Sequence, residues 1–219
     1  DLMQLCGKEV MAEWFSRARK NLPDGTLVLN DFCLISTRPG TSHQECFEEY
    51  LHCLLTNGAP VDAIGAQCHF GDPPPAPTDV LKNIDRFAAH GMPLMVTEFD
   101  VNTIDDELQA DFTRDMLLAA FSHPAIERFQ LWGFWEGAHW RPDAAMFRRD
   151  WTPKKSAEAF RKFVFEDCWT DETQTTDTDG KARGRGFLGD YIVTVTADGV
   201  STNVACTIAT NAPPDRKST

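Results

Sequence analysis

Residues 93–100 read PLMVTEFD, an apolar run of strand length that ends in two carboxylates, Glu98 and Asp100. The run has no polar alternation and contains a β-branched valine, which suits a strand covered by helices on both faces of a parallel sheet. In such sheets reacting groups and ligands gather at the carboxyl ends of the strands, so both carboxylates are candidate site residues. A carboxylate after a strand also commonly just opens a polar loop.

On the N-terminal side the same pattern repeats. Apolar positions Val10, Met11, Trp14, Phe15 and Ala18 predict a helix over about Cys6–Lys20, ended by Pro23, Asp24 and Gly25. Thr26–Leu29 predicts a short strand with Asn30 and Asp31 at its tip. Ser42–Leu55 has helical spacing and a left-handed stop at Asn57-Gly58. Val61–Phe70 (VDAIGAQCHF) predicts another strand, with small residues Gly65 and Ala66 allowing close backbone approach and Gln67 and His69 at the end. Four prolines within Asp72–Pro77 make a loop, after which Thr78 caps a helix reaching about Ala89.

Beyond the central stretch, Asp105 opens a helix to about Phe121, Phe129–Gly137 (FQLWGFWEG) is a further apolar run, and Pro153 starts a last helix. Four strand–helix units in succession imply parallel strands joined by right-handed crossovers. After Trp169 the chain turns polar and threonine-rich. Asp190–Thr196 and Ser201–Thr210 then alternate around Asp198-Gly199, which predicts an antiparallel hairpin. Asn211–Thr219 has the composition of a disordered tail.

The 219 residues carry a formal net charge of −12, which opposes nucleic-acid binding because a polyanion would be repelled. No window approaches the roughly 18 uninterrupted apolar residues of a membrane span. From Asp1 onward no targeting signal can be read, which is uninformative for a piece of a longer chain. Its seven cysteines form no CxxC pair and no zinc-finger spacing, and an odd number cannot pair completely within one chain. Neither a metal nor a cofactor is expected. Several of the cysteines fall in apolar stretches, where buried free thiols are common. No GxGxxG or GxxxxGK[ST] follows a strand, so a doubly wound nucleotide binder lacks its phosphate cradle.

Collected at one end of the sheet, Asn30, Asp31, Gln67, His69, Glu98, Asp100, Trp132, Trp135 and Glu136 offer hydrogen bonds for hydroxyls and flat apolar faces for sugar rings. The tryptophans also fit ordinary core packing, and His69 a satisfied buried histidine.

IGAQCHF, MVTEFDVN, LWGFWEGAHWRP and LVLNDF together resemble, in order and spacing, the four final strands of family-ten glycoside hydrolases, the endo-β-1,4-xylanases. GKARGRGFLGDYIVTV is similar to the extension that follows the barrel in plant-type members. The resemblance implies the C-terminal half, strands five to eight, of a (β/α)8 barrel over residues 1–169, with a small antiparallel β appendage over 170–210 and the tail at 211–219. It implies Glu98 as nucleophile, His69 supporting its ionisation, and Asp100 orienting His69. Asn30 and Gln67 are implied as substrate hydrogen-bonders, Trp132 and Trp140 as lining of the sugar subsite, and Arg141 as the residue that follows in the motif. Phe134, Trp135 and Glu136 depart from the commoner family pattern.

The same resemblance places the acid/base glutamate upstream of Asp1, after an asparagine at the tip of the fourth strand. Its implied partners are a β-1,4-glycan such as xylan and the missing N-terminal half of the barrel, in a secreted or extracytoplasmic setting. Unpaired strand edges, and a tendency to dimerise or aggregate through them, are expected of a half-barrel. A non-catalytic carbohydrate-binding protein of the same fold is the alternative.

Overall fold

A computed structural model describes residues 5–7 and 9–209. The chain separates into two compact units, Asp1–Arg161 and Lys162–Thr219. The tail expected over 211–219 lies outside the described residues.

The first unit alternates helix and strand: α1 (Val10–Asn21), β1 (Val28–Asp31), α2 (Ser42–Thr56), β2 (Ala63–Ala66), β3 (His69–Phe70), α3 (Pro77–Ala88), β4 (Leu94–Val101), α4 (Asp106–Ser122), β5 (Ile126–Leu131) and α5 (Lys155–Lys162). Every strand pairing here is parallel, β1 with β2, β2 and β3 with β4, and β4 with β5. The alternation written in the sequence is therefore the architecture, with β4 central.

Helices α2, α3 and α4 cover the sheet. Phe47, Leu51 and Leu54 of α2, Val80, Ile84 and Phe87 of α3, and Phe112 and Met116 of α4 join Ile64, Val96, Phe99 and Phe70 in one buried cluster. Aromatic edges lock it, with Phe70 4.7 Å from Phe112 and Phe47 5.7 Å from Phe87.

Several boundaries differ from the sequence expectation. The helix expected from Cys6 starts at Val10, after Gly7 at φ 81°. Strand β1 begins at Val28, so Asn30 and Asp31 lie within it rather than beyond its tip. The strand expected over Val61–Phe70 is broken at Gln67 and Cys68, because Cys68 adopts a left-handed φ of 64°. Thr78 is not a cap. Proline at the first helical position sets the start of α3, and Ala76 is the flanking residue. The last helix starts at Lys155, not Pro153. Only Phe129–Leu131 of the apolar run Phe129–Gly137 is strand, for the strand is Ile126–Leu131 and lies at the sheet's edge with Glu127, Arg128 and Gln130 exposed. Buried thiols are fewer than its apolar settings suggested, for all seven cysteines are free and only Cys68 is buried.

Strand β4 holds a further departure. From Ala66 to His69 the neighbouring chain advances three residues while β4 advances four, from Val96 to Asp100. On the other side Phe129 to Leu131 is matched by Val96 to Phe99, again one residue more on β4. The surplus residue is a bulge at Thr97–Glu98, a device that turns a strand and re-aims a side chain.

The loop after β1 is pinned by two fully buried amides. Asn83 of α3 donates to the carbonyls of Ile35 (3.2 Å) and Thr37 (2.6 Å), and its oxygen accepts from Gln44 Nε2 at 2.9 Å. Gln44 Nε2 also donates to Leu34 O, while Gln44 Oε1 accepts from the Gly40 and Thr41 backbone, closing a capping box with Thr41.

In the second unit, β6 (Gly189–Ala197) and β7 (Val200–Ile208) form the antiparallel hairpin read from the sequence, turning at Asp198-Gly199 with both φ angles positive. Tyr191 Oη donates to Phe187 O at 2.7 Å.

Asn83→Ala strands two buried carbonyls and the Gln44 amide. It is expected to lower unfolding free energy by about 3 kcal/mol, read as a lower urea midpoint at unchanged slope; a loss within experimental scatter would mean that water replaces the network.

Candidate active site

The bulge brings two consecutive residues of β4 to one partner on β1. Asn30 Nδ2 donates to Glu98 Oε1 at 3.3 Å, and Thr97 Oγ1 donates to Asn30 Oδ1 at 2.8 Å. Gly65, on the strand between them, makes this reach possible. A Cβ there would stand 2.6 Å from Asn30 Oδ1 and 2.9 Å from a Val28 methyl, so any side chain would push Asn30 away.

On the other side Glu98 Oε2 meets His69 Nε2 at 3.1 Å. Parallel pairing of β3 with β4 sets His69 opposite Asp100, and His69 Nδ1 lies 2.9 Å from Asp100 Oδ2. That contact is a close approach without hydrogen-bond alignment, because Nδ1 has no aligned partner. The aligned donor to Asp100 Oδ2 is the Trp140 indole N–H at 2.8 Å. A neutral imidazole donates from one nitrogen only, so His69 can serve both carboxylates together only when doubly protonated.

A cavity of about 400 Å³ opens above this cluster. Of the residues singled out in the sequence, Gln67, His69, Trp132, Trp140 and Arg141 line it, while Asn30, Glu98 and Asp100 stand behind as hydrogen-bond partners. Trp132 and Trp140 are each about half exposed, and the Arg141 guanidinium covers one face of Trp140 at 4.1 Å. His69 meets both indoles edge-on, at 5.9 and 5.0 Å. Neither Asp31 nor Glu136 turns its carboxylate into the cavity. Asp31 accepts from Phe32 N, and Glu136 Oε2 accepts from Arg149 N.

Three cavity residues escaped the sequence reading: Phe32, Cys33 and Ser36, all in the loop that Asn83 pins. Burial, and after it the Asp31 carboxylate, pushes the Cys33 thiol upward, so it stays protonated. Thr97 was missed because its role depends on the bulge, which no local pattern announces. His139 was missed as well. Its ring is wholly buried, Nδ1 accepts from Arg141 N at 3.1 Å, and Nε2 points toward Asp100 Oδ2 at 3.8 Å. Burial holds its pKa below the ordinary 6.5, with the pull of Asp100 opposing. The Arg141 contact fixes the proton on Nε2. Among the described residues no cluster of three or more His, Cys, Asp and Glu is placed to hold a metal.

The model of glycosyl hydrolase family 10 matches residues 1–163 of the 219. The chain belongs to that family. Among curated relatives, the anti-sigma-I factor RsgI6 of Acetivibrio thermocellus is 33% identical over 88% of this family-10 chain and 25% of its own length. Endo-1,4-beta-xylanase 1 of Arabidopsis thaliana is 31% identical over 86% of the chain and 20% of its own. Of solved structures, native xylanase 10B from Thermotoga maritima matches with a TM-score of 0.65 at 24% identity, covering 74% of this chain and 53% of that one. Xylanase 10B from Thermotoga petrophila in complex with xylobiose gives 0.64 at 24%, over 73% and 52%. The chain thus spans about half the length of these structures and about a quarter or less of those curated relatives. Its parallel unit has the fold of a family-10 partial barrel, corresponding to strands five to eight, and a small antiparallel sheet follows.

His139 takes its proton only below the pKa of the unfolded chain, so acid favours unfolding as pH drops through about 6.5. The stability lead of wild type over His139→Gln is expected to narrow between about pH 7 and pH 5 in urea titrations. A constant lead would show that His139 titrates like a free imidazole.

Proposed function

We propose that this family-10 chain carries the nucleophile half of a retaining endo-β-1,4-xylanase, acting on xylan or a related β-1,4-glycan. The observation that carries the reading is Glu98, gripped on one oxygen by Asn30 and on the other by His69 beneath an aromatic cavity. A carboxylate held by two donors is fixed in place and has its charge supported.

Glu98 would attack the anomeric carbon, forming a glycosyl ester as the bond to the leaving sugar oxygen breaks. The oxygen departs with the bonding pair and a proton from a second carboxyl group. Water then releases the sugar, with that group now acting as base. His69 would donate to Glu98, and Asp100 would hold His69 and Trp140. Gln67 and Asn30 would bind sugar hydroxyls, while Trp132 and Trp140, flanked by Arg141, would receive the pyranose ring.

Retaining chemistry needs the two carboxyl groups about 5–5.5 Å apart. Apart from Glu98, the carboxylates at this end of the sheet are engaged elsewhere, Asp31 with Phe32 N, Asp100 with the Trp140 indole and Glu136 with Arg149 N. The acid/base is therefore assigned to polypeptide outside these 219 residues, the N-terminal half of the barrel being the partner proposed. Loss of a general acid alone costs on the order of 10²- to 10⁴-fold in rate, so the chain by itself is expected to leave xylan intact. The same lack of a second carboxylate favours one other reading, a glycan-binding protein that performs no chemistry.

An activated substrate separates the two. Dinitrophenolate leaves without protonation, so 2,4-dinitrophenyl β-xylobioside is expected to give a burst of phenolate and a xylobiosyl adduct on Glu98 by mass spectrometry, both lost in Glu98→Gln. Binding without an adduct would favour the glycan-binding reading, and reducing sugar released from xylan by the purified chain would refute the missing acid.

A further inference from the structure

Beside the main cavity lies a second one of about 240 Å³, and Trp132 and Trp140 belong to both. Its far side is formed by Trp135 and Trp151, whose rings stack at 7° with centroids 5.2 Å apart. Resting on the sugar-binding reading above, we propose that this stacked pair is an additional platform, holding a further pyranose of the same β-1,4-glycan next to the one received between Trp132 and Trp140.

The stack is held in place from both sides. Trp135 Nε1 donates to Arg149 O at 3.1 Å, and the ring lies against Gly137 so closely that a Cβ there would come within 2.2 Å of it. The turn bearing Trp151 is tied to the same loop by Arg149 N on Glu136 Oε2, and closed by Arg148 N on Thr152 O and Trp151 N on Arg148 O.

Trp151 pays for its position in two ways. Its φ is 69°, a left-handed backbone that strains a bulky side chain by about 1–3 kcal/mol. Its indole nevertheless stays 56% exposed. It packs on Trp135, Phe134 and Phe147 with more than half of its surface left open. What the turn gains is an apolar surface open to solvent, on the same cavity that Trp132 and Trp140 line. A pyranose, with apolar C–H faces and a polar rim, suits that surface, and a polymer already lying across Trp132 and Trp140 would reach it without a separate binding event.

The test is a titration of the full chain with xylobiose and with xylohexaose, followed by calorimetry. Trp151→Gly and Trp151→Asn both sit comfortably at this φ, so the fold is retained and thermal melts confirm it. Each variant is expected to bind xylohexaose about tenfold more weakly, equivalent to 1.4 kcal/mol, with xylobiose affinity unchanged. Trp140→Ala should weaken both ligands. Equal affinity of wild type and the Trp151 variants for xylohexaose, with Trp140→Ala still impaired, overturns the platform alone. Wild type that binds neither sugar overturns the platform together with the reading beneath it.

Discussion

One surplus residue in the central strand sets the geometry of the whole site. An unbroken β4 would send Thr97 and Glu98 to opposite faces, because side chains alternate along a strand. The bulge lets both reach Asn30, and the ladder resumes in time for Asp100 to pair with His69. Glu98 is thereby clasped from both sides, by Asn30 of β1 reaching across β2 and by His69 of the adjacent β3. The constraint propagates to β2, where only a glycine at position 65 leaves Asn30 room to cross.

Asp100 is the electrostatic centre behind that clasp. It is 2% exposed, and a carboxylate so deeply buried is tolerable only with donors around it. Trp140 supplies an aligned one, while His69 and the neutral His139 crowd the same oxygen at 2.9 and 3.8 Å. Its other oxygen, Oδ1, has no protein partner. The indole that lines the cavity is thus tethered from behind by the carboxylate that also stands beside the imidazole. Trp140 and His69 meet at one buried charge, so displacing either changes the field at the other.

Much of this was legible because long-range order in a parallel sheet follows from short-range pattern. Apolar runs, helical stripes and the Asp198-Gly199 turn each report their own element, and strand succession then brings Gln67, His69, Glu98 and Asp100 to one end. What stayed hidden depends on register or on loops. The bulge is a relation among three strands and leaves no mark on any one of them. The break at Cys68 requires a left-handed non-glycine residue that composition does not reveal. Phe32, Cys33 and Ser36 enter the cavity only because Asn83, some fifty positions away, ties down their loop. Trp151 looks in sequence like one more surface aromatic.

The two edges of the parallel sheet bear unequally on the chemistry. Among the described residues β1 pairs only with β2 and β5 only with β4, so each leaves a row of backbone groups without a strand partner. β5 contributes no hydrogen bond to Glu98. β1 carries Asn30, an exposed residue whose hold on Glu98 is the longer of that carboxylate's two contacts, at 3.3 Å against 3.1 Å for His69. Whatever pairs with the open side of β1 therefore acts directly on one arm of the clasp. A strand paired there would stiffen β1 and with it the hold of Asn30 on Glu98, so the open edge of the sheet and the set of that carboxylate are one structural problem.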